Sequence, residues 1–163
     1  MSNIKISIIT VCKNAEKTIE KTIKSINEQT YENIEHVVID GLSEDKTLEI
    51  VKKNKFRPGK IISEKDSGPN EANLKGYKIF TGDVFFFLAS DDFLSDKNII
   101  KKVVDLFDSK TFIVYGNIEY YNHIKKKLTG RKLVPGQFKK NSYYQGWHAP
   151  FPAYFIRKEA LIL

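Results

Sequence analysis

The 163-residue sequence has only one cysteine, Cys12, and this excludes an intramolecular disulfide. A lone thiol is typical of a protein kept in a reducing compartment. Because Cys12 ends an apolar run, we expect a small buried filler there rather than a nucleophile. No apolar stretch approaches the ~20 residues that cross a bilayer, and the first five residues lack the hydrophobic region of a signal peptide. We therefore expect a cytoplasmic protein with at most a peripheral contact to the inner face of the membrane.

Acidic residues are in the minority. The 27 Lys and Arg against 20 Asp and Glu give a formal net charge of +7 and a pI near 9.3. This balance suits an acidic partner such as a phosphorylated small molecule, an anionic membrane surface or a nucleic acid. The one tight basic run, Lys125 to Lys127, lacks the interleaved aromatics that bind single strands, so we expect no nucleic acid partner. We interpret that run as a solvated turn.

One stretch joins a buried strand to a pair of acids. It runs from Gly82 to Leu94 and reads G-D-V-F-F-F-L-A-S-D-D-F-L. The apolar run Val84 to Leu88 predicts a strand buried on both faces of a parallel sheet. Asp91 and Asp92 follow at once, and two adjacent carboxylates repel each other unless a cation neutralises them. Carboxylate oxygens favour Mg²⁺ or Mn²⁺, so the pair predicts a divalent metal site. The alternative is that one of the two caps the helix predicted near Asp96.

Strand and helix patterns alternate along the first two thirds of the chain. Apolar segments predict strands at 4–11, 34–39, 60–63 and 84–88. A helix is predicted after each strand: the first capped by Asn14, the second capped by Ser43, the third from Pro69 to Phe80 and the fourth from Asp96. This order indicates an α/β fold with a mostly parallel, Rossmann-like sheet and helices on both faces.

Polar clusters follow all four predicted strands. They lie at 13–14, at 40–43, at Asp66 and at 90–92. Ligands of doubly wound sheets bind outside the carboxyl ends of the strands. Four separate segments are therefore expected to converge on one crevice, which predicts a functional site.

The pattern changes after Ser109. Residues 111–116 predict another strand, 118–124 and 127–134 a small antiparallel hairpin, 137–152 an aromatic loop, and 155–163 a helix or strand. We divide the chain into a half at 1–109, which contains the four polar clusters, and the start of a second, incomplete region at 110–163, both within one domain. Because the chain ends in Leu-Ile-Leu, we expect a C-terminally truncated fragment.

Four runs carry a family resemblance. They read S-I-I-T-V-C-K-N, Q-T-Y-E-N-I-E-H-V-V-I-D-G-L-S-E-D-K-T, S-E-K-D-S-G and T-G-D-V-F-F-F-L-A-S-D-D, and a later segment reads H-A-P-F-P-A-Y-F-I-R-K-E-A-L. In this order the sequence resembles the family 2 glycosyltransferases, which have the GT-A fold. The resemblance implies transfer of a sugar from a nucleotide diphosphate sugar, UDP-linked by expectation, to a hydroxyl of a glycan or a lipid-linked acceptor. It further implies inversion at the anomeric carbon with the help of Mn²⁺ or Mg²⁺.

The resemblance also implies which residues bind the nucleotide. Asp40 matches the acid that holds the base, and Val11 and Lys13 match residues that flank it. Asp66 matches a second residue at the border of the base, and Asp91 matches the carboxylate near the ribose. Three of them also have a simpler interpretation: Asp40 and Asp66 precede turn residues, and Lys13 is an ordinary exposed lysine.

The metal ligands and the base are implied in the same way. Asp92 matches the principal metal ligand, and His148 matches a histidine that approaches the metal or the diphosphate, although a hydrogen-bonded loop histidine is the alternative. The general base of relatives lies on a later segment, so we expect it beyond Leu163 and name no catalytic residue; Glu159 is interpreted as a surface residue.

Three positions depart from the family pattern: Ala89 before the acid pair, Leu74 in the third helix and Lys13 at the base pocket. Two other classes of protein are kept as alternatives. One is a catalytically inactive nucleotide-sugar-binding module. The other is a phosphoacceptor receiver domain, which the lack of an acid pair between Thr10 and Asn14 disfavours.

Overall fold

A computed structural model describes residues 3–161. Its strands are β1 (Ile6–Cys12), β2 (Ile34–Asp40), β3 (Ile61–Ser63), β4 (Val84–Phe87), β5 (Ile113–Tyr115), β6 (Ile118–Asn122), β7 (Lys127–Leu133) and β8 (Tyr154–Arg157). Its α-helices are α1 (Ile19–Asn27), α2 (Thr47–Asn54), α3 (Pro69–Ile79) and α4 (Ile99–Val104), and short 3₁₀ turns cover Ser142–Gln145, Phe151–Ala153 and Lys158–Leu161. None of the helices within this described range is long and apolar enough to cross a bilayer.

The main sheet has six strands in the order β3-β2-β1-β4-β8-β5. The first four are mutually parallel, whereas β8 runs antiparallel to both of its neighbours. Strands β6 and β7 form a separate antiparallel hairpin. The predicted α/β class and the predicted hairpin are confirmed. Residues after 109 supply β8 and β5 to the sheet that β1 to β4 begin, and the division of the chain at that point stays a prediction.

Helices cover both faces of the sheet because successive strand residues point in opposite directions. Ile8 of β1 packs in a cluster with Ile26 of α1 and Ile100 of α4. Its neighbour Ile9 packs on the other face with Ala72 of α3. The α3 backbone lies so close that a Cβ added at Gly76 would stand 2.4 Å from Ile9 Cγ2.

Buried polar groups link β1, β2 and the turn before β4. Ser7 Oγ donates to Glu35 Oε2 at 2.5 Å, and Thr81 donates to the same carboxylate from its backbone N and its hydroxyl, both at 2.8 Å. Burial opposes ionisation of Glu35, but these hydrogen bonds and the charge of Lys5 outweigh it and hold the pKa below its usual value. The turn that starts β4 is thereby fixed to the sheet.

The predicted capping roles of Asn14 and Ser43 are wrong. α1 begins at Ile19 and α2 at Thr47, and neither helix has a side-chain cap at its N-terminus. Asn14 instead has a left-handed backbone (φ 51°), and its Oδ1 accepts from the backbone N of Glu44 at 2.9 Å. Ser43 Oγ in turn accepts from the backbone N of Asn14 at 2.9 Å. Both polar side chains join the loops after β1 and β2 to each other rather than starting helices.

The other predicted boundaries shift by a few residues. The fourth helix begins at Ile99, not at Asp96, whose Oδ1 accepts from the backbone N of Asn98 at 2.7 Å. The element predicted over 155–163 is strand β8 followed by a 3₁₀ turn, and residues 162 and 163 of that prediction lie outside the described residues.

Candidate functional site

The loops after β1, β2 and β3 meet at the carboxyl edge of the sheet, around Asp40. Asp40 is fully buried at the end of β2. Its carboxylate accepts from Ser43 through the backbone N at 3.1 Å and through the hydroxyl, and from Ser63 Oγ at 2.6 Å. Ser63 ends β3, so one buried acid fixes the tips of two neighbouring strands. Asp40 therefore stabilises this edge of the sheet through its hydrogen bonds to Ser43 and Ser63. Its predicted contact with a base stays a prediction.

A cavity of about 270 Å³ at the same edge gathers three of the predicted nucleotide residues, Val11, Lys13 and Asp66, whereas Asp40 and Asp91 are not among the residues that line it. Its walls are completed by Cys12, Gly68, Pro69, Ala72, Ala89 and Ser90. Asp66 Oδ1 accepts from the backbone N of Gly68 at 2.9 Å, directly before α3 begins. The cavity thus lies at a helix N-terminus, where free N–H groups and the helix dipole favour an anion.

Gly41 lets the walls of this cavity close up. A Cβ at this position would stand 2.7 Å from Asp66 Oδ2 and 3.4 Å from Lys13 Cδ. The Asp40-Gly41 pair is therefore more than turn chemistry: the acid fixes the strand tip, and the missing side chain makes room for Asp66 and Lys13.

Cys12 is a buried filler, as predicted. Burial and the nearby charge of Asp40 raise the pKa of its thiol to about 12. A thiol that stays protonated at neutral pH is a poor nucleophile.

The predicted acid pair lies next to this cavity along the chain, with Asp91 exposed and Asp92 half-buried. Neither caps α4, whose N-cap residue is Asn98, so the alternative interpretation of the pair as a helix cap is wrong. The turn is held from α1, since Thr22 Oγ1 donates to the backbone oxygens of Ser90 at 3.0 Å and Asp92 at 2.7 Å.

A second cavity of about 300 Å³ adjoins the acids. It is lined by Asp91, Asp92, Phe93, Ile118, Glu119, Tyr120, Tyr121, His123 and Pro152. Burial raises the pKa of Asp92, the charge of Asp91 raises it further, and His123 opposes the change. A carboxylate in this environment is stabilised by a cation beside it.

The residues present fit a divalent cation that a ligand brings with it. Among residues 3–161, no three His, Cys, Asp or Glu side chains come together as a metal cage. Mg²⁺ is commonly held by one or two carboxylates together with substrate phosphates and water. Asp92, with its raised pKa, and Asp91 beside it match that smaller ligand set.

Sequence reasoning missed the histidine at this cavity. His123, in the β6–β7 turn, has its Nε2 2.9 Å from the backbone oxygen of Asp91. The ring of Tyr121 lies edge-on to Phe93 at 5.0 Å, and Lys21 Nζ stands 3.5 Å from the Phe93 ring centre and 3.3 Å from that of Tyr121. The hairpin is thus fastened to the acid pair. The sequence pattern predicted the hairpin, but no feature of the sequence indicated that the hairpin contacts the acid pair.

The predicted metal-side histidine, His148, lies elsewhere along the aromatic loop. It is exposed, and its Nδ1 is 3.4 Å from the backbone oxygen of Ala149. The neighbouring Trp147 is anchored by donation from Nε1 to the backbone oxygen of Pro135 at 2.6 Å. The histidine that lines the Asp92 cavity is His123, and the role of His148 stays a prediction.

Comparison with known proteins finds similar chains. WfaP of Escherichia coli, described as a UDP-Glc:alpha-D-GlcNAc-diphosphoundecaprenol beta-1,3-glucosyltransferase, is 34% identical over 128 residues, which cover 77% of this chain and 49% of WfaP. The crystal structure of S. aureus TarS 1-349 superposes with a TM-score of 0.75 at 25% identity, over 98% of this chain and 48% of that one.

Another solved structure gives the fold alone. The mannosyltransferase PcManGT from Pyrobaculum calidifontis, in complex with GDP-Man and Mn²⁺, has a TM-score of 0.72 at 16% identity, over 99% of this chain and 47% of that one. The chain spans about half the length of the curated relatives it matches. The model of the family described as Glycosyl transferase family 2 matches residues 7–162. The chain therefore belongs to glycosyl transferase family 2.

Proposed function

We propose that this protein transfers a sugar from a UDP-linked donor to a hydroxyl of a glycan or a lipid-linked acceptor, with inversion and with the help of Mn²⁺ or Mg²⁺. The observation that carries the proposal is the juxtaposition of the Val11–Lys13–Asp66 cavity with the Asp91–Asp92 pair in a chain of this family. The solved complex of TarS with UDP-GlcNAc, 31% identical over 63% of this chain and 30% of that one at a TM-score of 0.58, supports a uridine nucleotide.

In this proposal the base enters the first cavity between Val11 and Lys13, with Asp66 at its border. Asp40 keeps the cavity in shape through Ser43 and would accept a hydrogen bond from the base once the loops adjust. Asp91, which is exposed, is assigned to the ribose. The diphosphate would then lie toward Asp92, where the proposed cation would be held, with His148 proposed as its second partner. When bound, such a cation supplies charge neutralisation for the leaving diphosphate.

The transfer step is a direct displacement. The acceptor hydroxyl oxygen forms a bond to the anomeric carbon from the face opposite the diphosphate, and the bond from that carbon to the diphosphate oxygen breaks. Attack from the opposite face inverts the configuration. The hydroxyl proton passes to a carboxylate base, and no residue of this chain is assigned that role. What the residues of this chain contribute is the orientation of the donor and a site of fixed charge.

Ligand binding tests the proposal directly. UDP-glucose, UDP-GlcNAc and GDP-mannose are titrated calorimetrically and by thermal shift, each with and without Mn²⁺. A specific ligand at a hundredfold excess over Kd should stabilise the fold by about 2.7 kcal/mol. Stabilisation by a UDP-sugar that requires Mn²⁺ supports the proposal, and its absence for every nucleotide contradicts it. Binding without turnover in an acceptor screen would select the inactive nucleotide-sugar-binding module.

Asp40→Ala is expected to weaken UMP and UDP about tenfold while changing the affinity for pyrophosphate little, because Asp40 shapes the base end of the site. Competition against a bound UDP-sugar measures both. Ser63→Ala is the matched control, since it removes one hydroxyl that donates to Asp40 but keeps the carboxylate. An equal loss of affinity for UMP and pyrophosphate would remove Asp40 from the base pocket.

The variants His123→Ala and His148→Ala test the roles of the two histidines separately. Loss of the His123 hydrogen bond to Asp91 should loosen the acid pair and weaken UDP binding about fivefold in Mn²⁺, with His123→Gln restoring most of the affinity. If His148 approaches the cation, His148→Ala should cost about tenfold in Mn²⁺ and nothing in EDTA. Identical affinities of His148→Ala and wild type in Mn²⁺ would withdraw His148 from the metal site.

A further inference from the structure

The excess of positive over negative charge in this protein lies in one segment. Residues 123–140 contain seven Lys and Arg and no Asp or Glu, whereas the rest of the chain holds 20 of each sign. The whole formal net charge of +7 therefore resides in the β6–β7 turn, strand β7 and the loop that follows. Such separation of charge produces a local field that the overall composition does not reveal.

The same segment exposes aliphatic side chains. Ile124, in the β6–β7 turn, is 94% exposed, Val134 is 60% exposed and Leu128 is 53% exposed. Ile124 is followed directly by Lys125, Lys126 and Lys127. The described salt bridges of this region pair Lys132 with Glu119 and leave those three lysines out. An exposed apolar tip flanked by unpaired cations is the pattern of a segment that lies in a membrane interface.

Single-stranded nucleic acid is a weaker match for this surface. Its binding relies on aromatic rings on which bases stack. The exposed apolar side chains nearest the tip, Ile124 and Leu128, are aliphatic. The exposed Tyr120 ring on the hairpin is in contact with Arg131, whose guanidinium carbon lies 4.4 Å from the ring centre. The exposed Phe138 ring, beyond β7, packs against Tyr143 and Trp147. Aliphatic side chains beside lysines fit lipid acyl boundaries and headgroup phosphates instead.

We propose that the β6–β7 hairpin docks on the surface of an anionic membrane, with Ile124 entering the interface and Lys125 to Lys127 binding lipid phosphates. The hairpin also carries Tyr121 and His123 into the wall of the Asp91–Asp92 cavity. Docking at the tip thus places this cavity beside the bilayer. The surface itself does not depend on the proposed transfer reaction, because its binding is measured without nucleotide.

Vesicle sedimentation tests the docking. The protein is mixed with phosphatidylcholine vesicles, with or without roughly one third phosphatidylglycerol. Binding to the anionic vesicles alone is expected, and it should decline as salt rises from about 0.1 M to about 1 M and the Debye length shrinks from ~10 Å to ~3 Å. Equal partitioning to both vesicle types, or to neither, overturns the proposal.

Matched variants locate the surface. Lys125→Gln/Lys127→Gln should lower the partition coefficient on anionic vesicles about thirtyfold, since two cations leave the interface. Lys52→Gln/Lys53→Gln removes the same charge from two exposed neighbours at the end of α2 and should change it less than about twofold. Equal losses for the two pairs would mean a response to net charge alone and would overturn the assignment to the hairpin.

Insertion of the tip is measured with an environment-sensitive thiol dye on Ile124→Cys, and Lys53→Cys serves as the control. The native thiol of Cys12 is buried and protonated, so the dye reports the new position. A blue shift on anionic vesicles at position 124 but not at 53 supports insertion. A dye that stays in water at 124, with tighter binding to a single-stranded oligonucleotide than to the vesicles, would identify a polyanion surface and overturn the proposal.

Discussion

Replacing Asp92 with asparagine is expected to abolish the Mn²⁺-dependent part of UDP-sugar binding and to lower turnover roughly a thousandfold. The raised pKa of Asp92 marks a carboxylate whose charge is costly where it stands, through burial first and the charge of Asp91 second. A cation there relieves that cost and supplies several kcal/mol of stabilisation to a leaving diphosphate, which corresponds to a rate factor of this size. The measurement is UDP-sugar affinity with Mn²⁺ and with EDTA, followed by turnover with an acceptor.

The matched control is Asp105→Asn. Asp105 is an exposed acid after α4 that pairs with Lys101 at 2.9 Å, so its loss removes the same charge away from the cavity. It should leave Mn²⁺-dependent binding within about twofold of wild type. An Asp92→Asn variant that binds UDP-sugar in Mn²⁺ as tightly as wild type does, and loses that affinity in EDTA as wild type does, would refute the metal assignment.

The parallel half of the sheet could be predicted because each of its strands carries a local signal. Val84 to Leu88 is apolar without interruption, and the structure buries β4 between α3 and α4. The convergence of polar clusters followed from the same logic, since the carboxyl ends of parallel strands share one edge. Val11, Lys13 and Asp66 do line one cavity at that edge.

Contacts between segments that are far apart in the sequence could not be predicted. Strand β8 comes from the end of the chain and inserts between β4 and β5, and nothing in Tyr154 to Arg157 specifies antiparallel pairing with Val84 and Phe85. The docking of His123 onto Asp91 is likewise a contact across 32 residues that depends on how the hairpin folds back.

Some polar residues at the strand ends were compatible with two different structural roles. Asn14 and Ser43 have the residue types of helix caps. In the structure their oxygens bond the opposite loop, because the two strand tips lie side by side and their backbone N–H groups need acceptors. The spacing of such residues in the sequence does not distinguish a helix cap from a side chain that hydrogen-bonds a neighbouring loop.

The stability of this protein is expected to fall by about 3 kcal/mol between pH 7 and pH 4 through one histidine, His36. His36 lies on β2, is fully buried, and has Nε2 3.0 Å from Thr10 Oγ1, while its Nδ1 has no hydrogen-bond partner among the described residues. Burial, assisted by the charge of Lys55, lowers the pKa of His36 to about 3. The unfolded chain protonates it near pH 6.5, so acid favours the unfolded state throughout the window between the two values.

Urea unfolding at a series of pH values measures how much His36 contributes to the pH dependence of the free energy of unfolding. His36→Gln serves as the variant whose side chain at this position does not titrate. The variant is expected to be less stable at pH 7, because a packed ring is lost, yet to lose about 3 kcal/mol less than wild type on the way to pH 4. His148→Gln removes an exposed histidine instead and should follow the wild-type curve. If the free energies of unfolding of His36→Gln and wild type change in parallel with pH, His36 takes up its proton as readily in the folded state as in the unfolded chain, and the prediction is wrong.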